Sequence, residues 1–399
     1  MDTFTFVGNL KSINSDKFKG FEEKAFESGW RQRQTNFNVV CGNDRHLVTI
    51  KGGVMTKDNK IAADAKIFSF SKSSKDADGN TVKGEKLEIP FKERLMEKWV
   101  EKVAGFRLFV LDTEVYGRRD KLQKIVDNYE SGDVDQTLVD ELGIKDVADA
   151  KAKLEESNAK KKTYISEWDY SKAVNEFLAT VGEDDLFLVK GNVDIQYNFT
   201  ADTFYKSYIV NRIYRAKPES EITSEVTMDF YFGSEAVDKT DWEEKKTARI
   251  SGYQRFFCND KKNNISGEFA AETSFAITNA IDEKKALGIM KKMEKKSERP
   301  YRKMTVKLHA IDGAQREELK YEDLTDDQKE DIDLGIVTLE DINDALGGAY
   351  GESIRDYELI DVVIPRDGNG IIQETDYEDM SKPKPEVTLD DADGLDDIM

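Results

Sequence analysis

The chain has 399 residues, of which 38% are hydrophobic and 10% aromatic, enough apolar material for two or three globular domains. Its formal net charge is −20, so any basic surface has to be local. No run approaches the ~18 consecutive apolar residues of a membrane-spanning helix, and Cys41 and Cys258 lie far apart without a CxxC partner, which favours a reducing compartment and a cytoplasmic, non-membrane protein.

The first 115 residues are predicted to be mainly β-strand. Alternating apolar residues start at Thr3, a hairpin turns at Gly42, and a further alternating run covers residues 66–72 before a loop rich in Ser, Lys and Asp. A helix is predicted over residues 91–103 and a strand over residues 105–111.

Residues 121–161 are highly charged and have apolar residues at helical intervals, which predicts a helical insertion. A further helix is predicted over residues 170–181, followed by strands over 185–197 and 204–214. Pro218 and Ser220 mark a linker.

The second half repeats this plan of strands, helical insertion and closing strand. Strands are predicted at 226–232, 248–258, 269–277, 304–311 and 357–364, with a basic helix over 281–296 and acidic helices over 323–346.

The predicted fold class is therefore mainly β with helical insertions (α+β): two OB-like antiparallel β-barrels plus a disordered acidic tail. We place the first barrel at residues 1–217, with its insertion at about 118–182, a second OB-like or α+β domain at 218–370, and the tail at 371–399. A pair of α+β domains is the alternative.

Motifs for catalysis or cofactor binding are missing. His46 and His309 are the only histidines and have no Cys or His at metal-ligand spacing, and the chain contains neither GxxxxGK[ST] nor GxGxxG. Residues 76–81 start like a calcium loop but place Thr81 where the turn needs glycine. We expect no enzyme activity, no metal and no cofactor, with a carboxylate–metal enzyme as an alternative.

Aromatic residues interleaved with cations are the most informative pattern, because single-stranded nucleic acid is bound by stacking bases on rings while cations follow the backbone. In the strand 204–214, alternation places Tyr205, Ile209 and Ile213 on the core face. Lys206, Tyr208, Arg212 and Tyr214 would then be exposed on the other face. Half-buried strand residues are the alternative. The predicted nucleic-acid contacts are Trp30, Arg31, Arg33, Phe68, Phe70, Lys72, Lys75, Lys206, Tyr208, Arg212, Tyr214 and Arg215.

The second half offers weaker candidates of the same kind. Tyr253 and Arg255 share one strand, and residues 284–303 contain nine Lys or Arg and two Glu. A solvated helix face explains that basic run equally well.

The C-terminal residues 374–399 contain ten acidic residues and two lysines, a net charge of −8. Such a disordered acidic peptide with apolar residues at its tip can dock in a basic pocket of a partner, although a solubility tail is the alternative. The predicted partner contacts are Asp390, Asp391, Asp393, Asp396, Asp397, Ile398 and Met399.

Three segments resemble the bacterial and phage single-stranded DNA-binding proteins: the strand Phe6–Leu10, the Gly-bearing strand Val189–Val193 and the acidic end Asp390–Met399. The chain departs from that family in its length and in ending with Ile-Met rather than Pro-Phe. The resemblance implies an OB-fold protein of a phage-type DNA replication, recombination or repair system in the bacterial cytoplasm.

On this resemblance the protein would coat single-stranded DNA without sequence preference. Its tail would recruit replication or repair proteins. A viral structural or scaffolding protein without nucleic-acid binding is the alternative. The oligomeric state and the choice between DNA and RNA stay open.

Overall fold

The computed structural model describes residues 2–13, 19–58, 60–76, 79–260, 263–317, 321, 324–339, 349–365 and 370–383. It confirms a mainly β fold with helical insertions. Of the predicted disordered tail 371–399, residues 384–399 with the partner contacts Asp390 to Met399 lie outside the described residues, whereas residues 371–383 are described and include a short strand at Gln373–Glu374.

The first half of the chain contains most of the short strands and the helical insertion. Its elements are β1 (Thr3–Ser12), β2 (Phe21–Ala25), β3 (Trp30–Cys41), β4 (Asp44–Lys57), β5 (Lys60–Ile61), β6 (Lys66–Phe70), β7 (Ser74–Lys75), β8 (Thr81–Val82), β9 (Lys86–Pro90), α1 (Glu97–Lys102), β10 (Phe109–Val115), α2 (Arg118–Ser131), α3 (Gln136–Leu142), α4 (Val147–Ala159), β11 (Lys161–Tyr164), α5 (Glu167–Leu178), β12 (Leu186–Asn198) and β13 (Thr203–Arg215).

Five of these strands close into a barrel. Strand β1 pairs with β3, β3 with β4 and β12 with β1, all antiparallel. Strand β13 pairs antiparallel with β12 and parallel with β4, which closes the ring. If the five barrel strands β1, β3, β4, β12 and β13 are numbered 1 to 5 along the chain, their order around the ring is 1-2-3-5-4 and back to 1. This is the strand order of an OB-type barrel. Helix α5 enters between the third and fourth strands and adds Tyr170, Val174 and Leu178 to the core.

The second half follows the same plan. Its elements are β14 (Thr223–Phe232), β15 (Val237–Asp238), α6 (Trp242–Lys245), β16 (Ala248–Asp260), β17 (Ile265–Ile277), α7 (Glu283–Met293), β18 (Arg302–Glu317), α8 (Asp326–Asp333), β19 (Ala349–Val362) and β20 (Gln373–Glu374).

A second ring runs through β14, β16, β17, β19 and β18 and returns to β14. The pairing of β17 with β19 is parallel, as in the first barrel. Helix α7 occupies the position of α5 and adds Ala286, Ile289, Met290 and Met293 to the core. The two OB-like barrels predicted from the sequence are therefore present.

The first strands of the two rings join the barrels. Residues Thr3–Val7 of β1 pair antiparallel with Thr223–Thr227 of β14, so one sheet continues from barrel to barrel. Phe4 and Phe6 from the first barrel and Phe230 from the second belong to one hydrophobic cluster. Because the two halves share this core, the cluster does not divide the chain into separate domains. The predicted domain boundaries 1–217, 218–370 and 371–399 therefore stay predictions.

Helices α2, α3 and α4 stand apart as an insertion between β10 and β11. They pack around a small core of their own that includes Leu122, Ile125 and Val139. Asp135 caps α3 by accepting from the amides of Thr137 and Leu138, which satisfies donors at the start of the helix. The predicted helical insertion is thus observed.

Some predicted element bounds were wrong. Residues 105–107 form a 3-10 turn, and the strand predicted from Gly105 starts at Phe109. Within the predicted helix 91–103, α1 covers only Glu97–Lys102. In the predicted helical segment 323–346, the structure describes α8 at Asp326–Asp333, and residues 340–346 lie outside the described part.

Candidate nucleic-acid interface

The hairpin of β6 and β9 has one buried face and one exposed face. Ser69, Leu87 and Ile89 point inward and are buried. On the opposite face Phe68 is 60% exposed and Phe70 is 38% exposed. Ser69 of β6 pairs with Leu87 of β9, so both face the core. Because strand residues alternate between faces, Phe68 and Phe70 must then lie on the exposed face.

Cations lie over these rings. The Lys86 ammonium is 5.1 Å from the Phe68 ring centre, and the Arg107 guanidinium is 5.3 Å from the centre of Phe70. The same guanidinium is 5.5 Å from Phe106, whose ring is 68% exposed because the 3-10 turn directs it outward. Rings with cations within about 6 Å of their faces form cation–π contacts.

The end of β13 continues this surface. Arg212 Nη2 donates to the Gly105 carbonyl oxygen at 2.8 Å, next to Phe106. The ring of Tyr214 meets that of Tyr116 edge-on at 6.2 Å, and Tyr116 is 55% exposed. We name the whole surface the aromatic strip; its members are Phe68, Phe70, Phe106, Tyr116 and Tyr214 with Lys86, Arg107 and Arg212.

The charge around the strip differs from that of the whole chain. Residues 66–107 contain ten Lys or Arg against seven Asp or Glu, which leaves +3 in a chain of net charge −20. Lys72 and Lys75, both predicted contacts, are exposed at the end of this hairpin. The segment that carries most of the strip is therefore locally basic in an acidic chain.

The predicted group around Trp30 is split between two faces of β3. Trp30 is 37% exposed and lies against Gly53, where an added Cβ would be 2.2 Å from the indole ring. Arg31 and Arg33 point the other way and form ion pairs with Glu23 at 3.1 and 2.8 Å. The Arg33 guanidinium also stacks on a tryptophan of α5, so it supports the barrel rather than facing solvent.

Beside Trp30 the outer face of β3 and β4 carries an amide ladder that the sequence reasoning missed. Gln32 donates to Gln34 at 3.4 Å and Gln34 to Asn36 at 2.9 Å, while Thr49 donates to the same Asn36 oxygen at 2.9 Å. Strands 2 and 3 are the strands through which OB folds bind oligonucleotides. The sequence feature that could have predicted this ladder is the run of amide side chains at every second position. These positions fall on the strand face opposite to the core residue Phe37.

The predicted exposed face of β13 was partly wrong. Arg212 pairs with Lys190 and Val210 with Gly191, so Asn211 is an extra residue on β13. Such a β-bulge reverses which parity faces the core. Arg212 and Tyr214 therefore face outward.

Before the bulge, Lys206 and Tyr208 lie against the core and the second barrel. The Tyr208 ring is 4.9 Å from that of Phe6, and its hydroxyl is 3.4 Å from the Tyr357 hydroxyl. Lys206 Nζ donates to Thr273 at 2.7 Å, and burial lowers the pKa of Lys206 to about 8. Both were predicted to be exposed contacts, and that placement is wrong. Arg215, also predicted, is paired with Asp185.

His46 lies at the centre of the contact between the barrels. It is fully buried and stacks on Phe6 with ring centres 4.2 Å apart. Ser224 donates its hydroxyl to the Ala310 carbonyl at 2.8 Å, so His46 Nε2–H is the donor in the 2.5 Å contact with Ser224 Oγ. Burial lowers the pKa of His46 to about 4, and the ring is neutral at pH 7.

This histidine–serine pair is closed to substrates, because both residues are fully buried. Nearby, the hydrogen bond from His309 Nε2 to Asp44, at 3.1 Å, raises the pKa of His309 and bridges β18 to β4. The pairs hold the two barrels together.

Within the ranges that the structure describes, no three His, Cys, Asp or Glu side chains are grouped closely enough to hold a metal ion. In the same ranges, no helix combines the length and apolar character needed to cross a membrane.

Comparison with known proteins gives little further information. No protein-family model and no curated protein matches the chain. Among solved structures, the chain is similar to a deletion mutant of the single-stranded DNA binding protein from Thermus aquaticus, with 6% identity and a TM-score of 0.29 over 78% of this chain and 87% of that chain. A TM-score this low supports no conclusion, so the OB-type assignment depends on the strand pairing described above.

Proposed function

We propose that this protein binds single-stranded DNA through the aromatic strip, without sequence preference and without catalysing a reaction. The observation that carries the proposal is the outward face of the β6–β9 hairpin. Two phenyl rings that could have been buried are exposed there, each with a cation over or beside it. Contiguous exposed apolar side chains on a folded protein mark an interaction site.

The chemistry of the strip suits an unpaired strand. A free base can stack on Phe68, Phe70 or Phe106, and each such stack contributes about 1–3 kcal/mol. Duplex bases are stacked on each other and offer no free face. Because every base has a π-face, stacking is tolerant of sequence.

Charge confines the contact to this region. Lys86, Arg107 and Arg212 can pair with phosphates, whereas the remaining acidic surface repels the backbone. The predicted contacts Lys72 and Lys75 extend the basic end of the hairpin. Trp30 with the amide ladder on β3 and β4 forms a second contact on the same barrel.

The finer parts of the proposal come from the sequence. We infer that residues 390–399 recruit replication or repair proteins, in a phage-type replication or recombination system in the bacterial cytoplasm. A chain without Ile398 and Met399 should lose capture of purified host replication proteins while it keeps its affinity for DNA. Equal capture by both chains would contradict the tail assignment.

Stacking is tested with two strands of equal charge. One is a ~30-nucleotide oligothymidine and the other an abasic strand of the same length. We expect the abasic strand to bind at least about 5-fold more weakly, the equivalent of one lost stack. Equal affinity would show that phosphates alone are recognised and would contradict a role for the rings.

A further inference from the structure

The chain returns to the second barrel after β20. Residues 375–382, named the strap here, cross the outer face of β14, β16 and β17. The Ala270 amide of β17 donates to the Ser381 carbonyl at 3.0 Å. Met380 is only 8% exposed and packs against Tyr231 and Ala270. The strap is therefore bound to the barrel through both its backbone and its side chains.

Tyr377 occupies the middle of this contact. The Arg255 guanidinium lies 3.4 Å from the centre of the Tyr377 ring, and the Tyr231 ring is 5.7 Å away. The Tyr377 hydroxyl donates to Glu268 at 3.2 Å. The Tyr377 ring is thus stacked on an arginine, as an unpaired base can be, and is met edge-on by Tyr231.

Solvent-exposed ion pairs lie at the two ends of the strap. Asp376 lies 3.3 Å from the Arg299 guanidinium, and Lys382 pairs with Asp202 of the first barrel at 2.5 Å. With a ring stacked on Arg255 and a carboxylate paired with Arg299, the strap presents the two groups of a nucleotide, a planar base and an anion.

The covered face is built like a ligand site. Strands β16 and β17 are strands 2 and 3 of the second barrel, the strands that OB folds use for oligonucleotides. Tyr253 and Tyr301 stand edge-on with ring centres 5.7 Å apart. They line an open cavity of about 470 Å³, together with Ser251, Gly252 and Thr273 and with two acidic residues, Glu235 and Glu272.

We propose that this face is a second binding site for single-stranded nucleic acid and that the strap occupies it in the free protein. The inference rests on the proposed function, since it assumes that the protein binds single strands. Tyr377 would leave Arg255 to an incoming base, and Asp376 would leave Arg299 to a phosphate. The site can bind only in molecules whose strap has left it. Its apparent affinity is therefore the intrinsic affinity multiplied by the fraction of molecules with an open site.

Three forms of the chain separate the strap from the acidic tail: the full chain, a chain lacking 384–399 and a chain lacking 375–399. Removing 384–399 leaves the strap in place and should not change the number of nucleotides covered per chain on oligothymidine. Removing 375–399 should add about 4–16 nucleotides, the site of one OB barrel, and strengthen binding about 5- to 150-fold. Equal site sizes for the two truncated chains would overturn the inference.

Hydrogen exchange of the full chain gives a test that needs no truncation. Saturating oligothymidine should speed amide exchange in the strap, residues 375–382, and slow it around Tyr253 and Arg255. A strap that stays protected while the aromatic strip becomes protected would overturn the inference and leave the proposed function standing. If no form of the chain binds single strands, the proposed function fails and the inference fails with it.

Discussion

Replacing Phe68 and Phe70 together by alanine should weaken binding to single-stranded DNA and leave the fold intact. The rings are 60% and 38% exposed, so their loss removes little buried apolar area. Each ring offers one base a stack worth about 1–3 kcal/mol. Because neighbouring stacks are not additive, we expect a loss of at least one full stack, about 5- to 150-fold in Kd.

The assay is fluorescence anisotropy with labelled ~30-nucleotide oligothymidine at constant salt. Tyr205→Ala is the matched control, since Tyr205 is 52% exposed on the same barrel. It precedes Tyr214 by nine residues of β13, about 30 Å at 3.3 Å per residue. Unchanged affinity of the double variant, or an equal loss in Tyr205→Ala, would refute the assignment of the strip.

Three further changes test charge, pH and packing. Arg107→Gln should reduce the slope of log K against log salt by about 0.7, one phosphate contact on a single strand, whereas Lys121→Gln on the helical insertion should not. The pKa of His46 is about 4 in the folded chain and 6.5 in the unfolded chain. Between these pH values only the unfolded chain binds a proton on His46, so the free energy of unfolding should fall as the pH drops from 6.5 to 4. The loss is about 3 kcal/mol, and urea titrations of His46→Asn should lack this part of the pH dependence. Gly191→Ala puts a Cβ 2.0 Å from the Ile209 carbonyl oxygen, and the urea midpoint should fall by the equivalent of about 1–3 kcal/mol; an unchanged midpoint would contradict the packing described at the bulge.

The β-hairpins and the helical insertion could be predicted because local patterns encode them. Alternation in residues 66–72 predicted a strand with Phe68 and Phe70 on one face, and the structure exposes both rings. The exposure of Phe106 was missed, because residues 105–111 resemble one continuous strand and the 3-10 turn at Gly105 has no strong sequence signal.

The β13 face shows where such reasoning fails. Parity assigned Lys206, Tyr208, Arg212 and Tyr214 to one side, but the extra residue Asn211 separates them. A bulge is set by the partner strand, here at Gly191, and cannot be read from one strand alone. Two of the four residues are therefore packed against the second barrel.

Contacts distant in sequence were also beyond prediction. The pairing of β1 with β14 joins residues more than 200 positions apart, and it places His46 beside Ser224. The strap was equally invisible, since Tyr377 and Met380 stand among acidic residues and were assigned to the tail. The burial of Met380 and the stacking of Tyr377 on Arg255 follow from the shape of the second barrel and not from local pattern.

The most direct test of the account compares a labelled ~30-nucleotide single strand with its duplex, by anisotropy at low and moderate salt. We expect the single strand to bind more tightly than the duplex, regardless of its sequence, and to bind more weakly as salt increases. No binding at low salt, or preference for the duplex, would contradict the central claim that the aromatic strip holds unpaired bases.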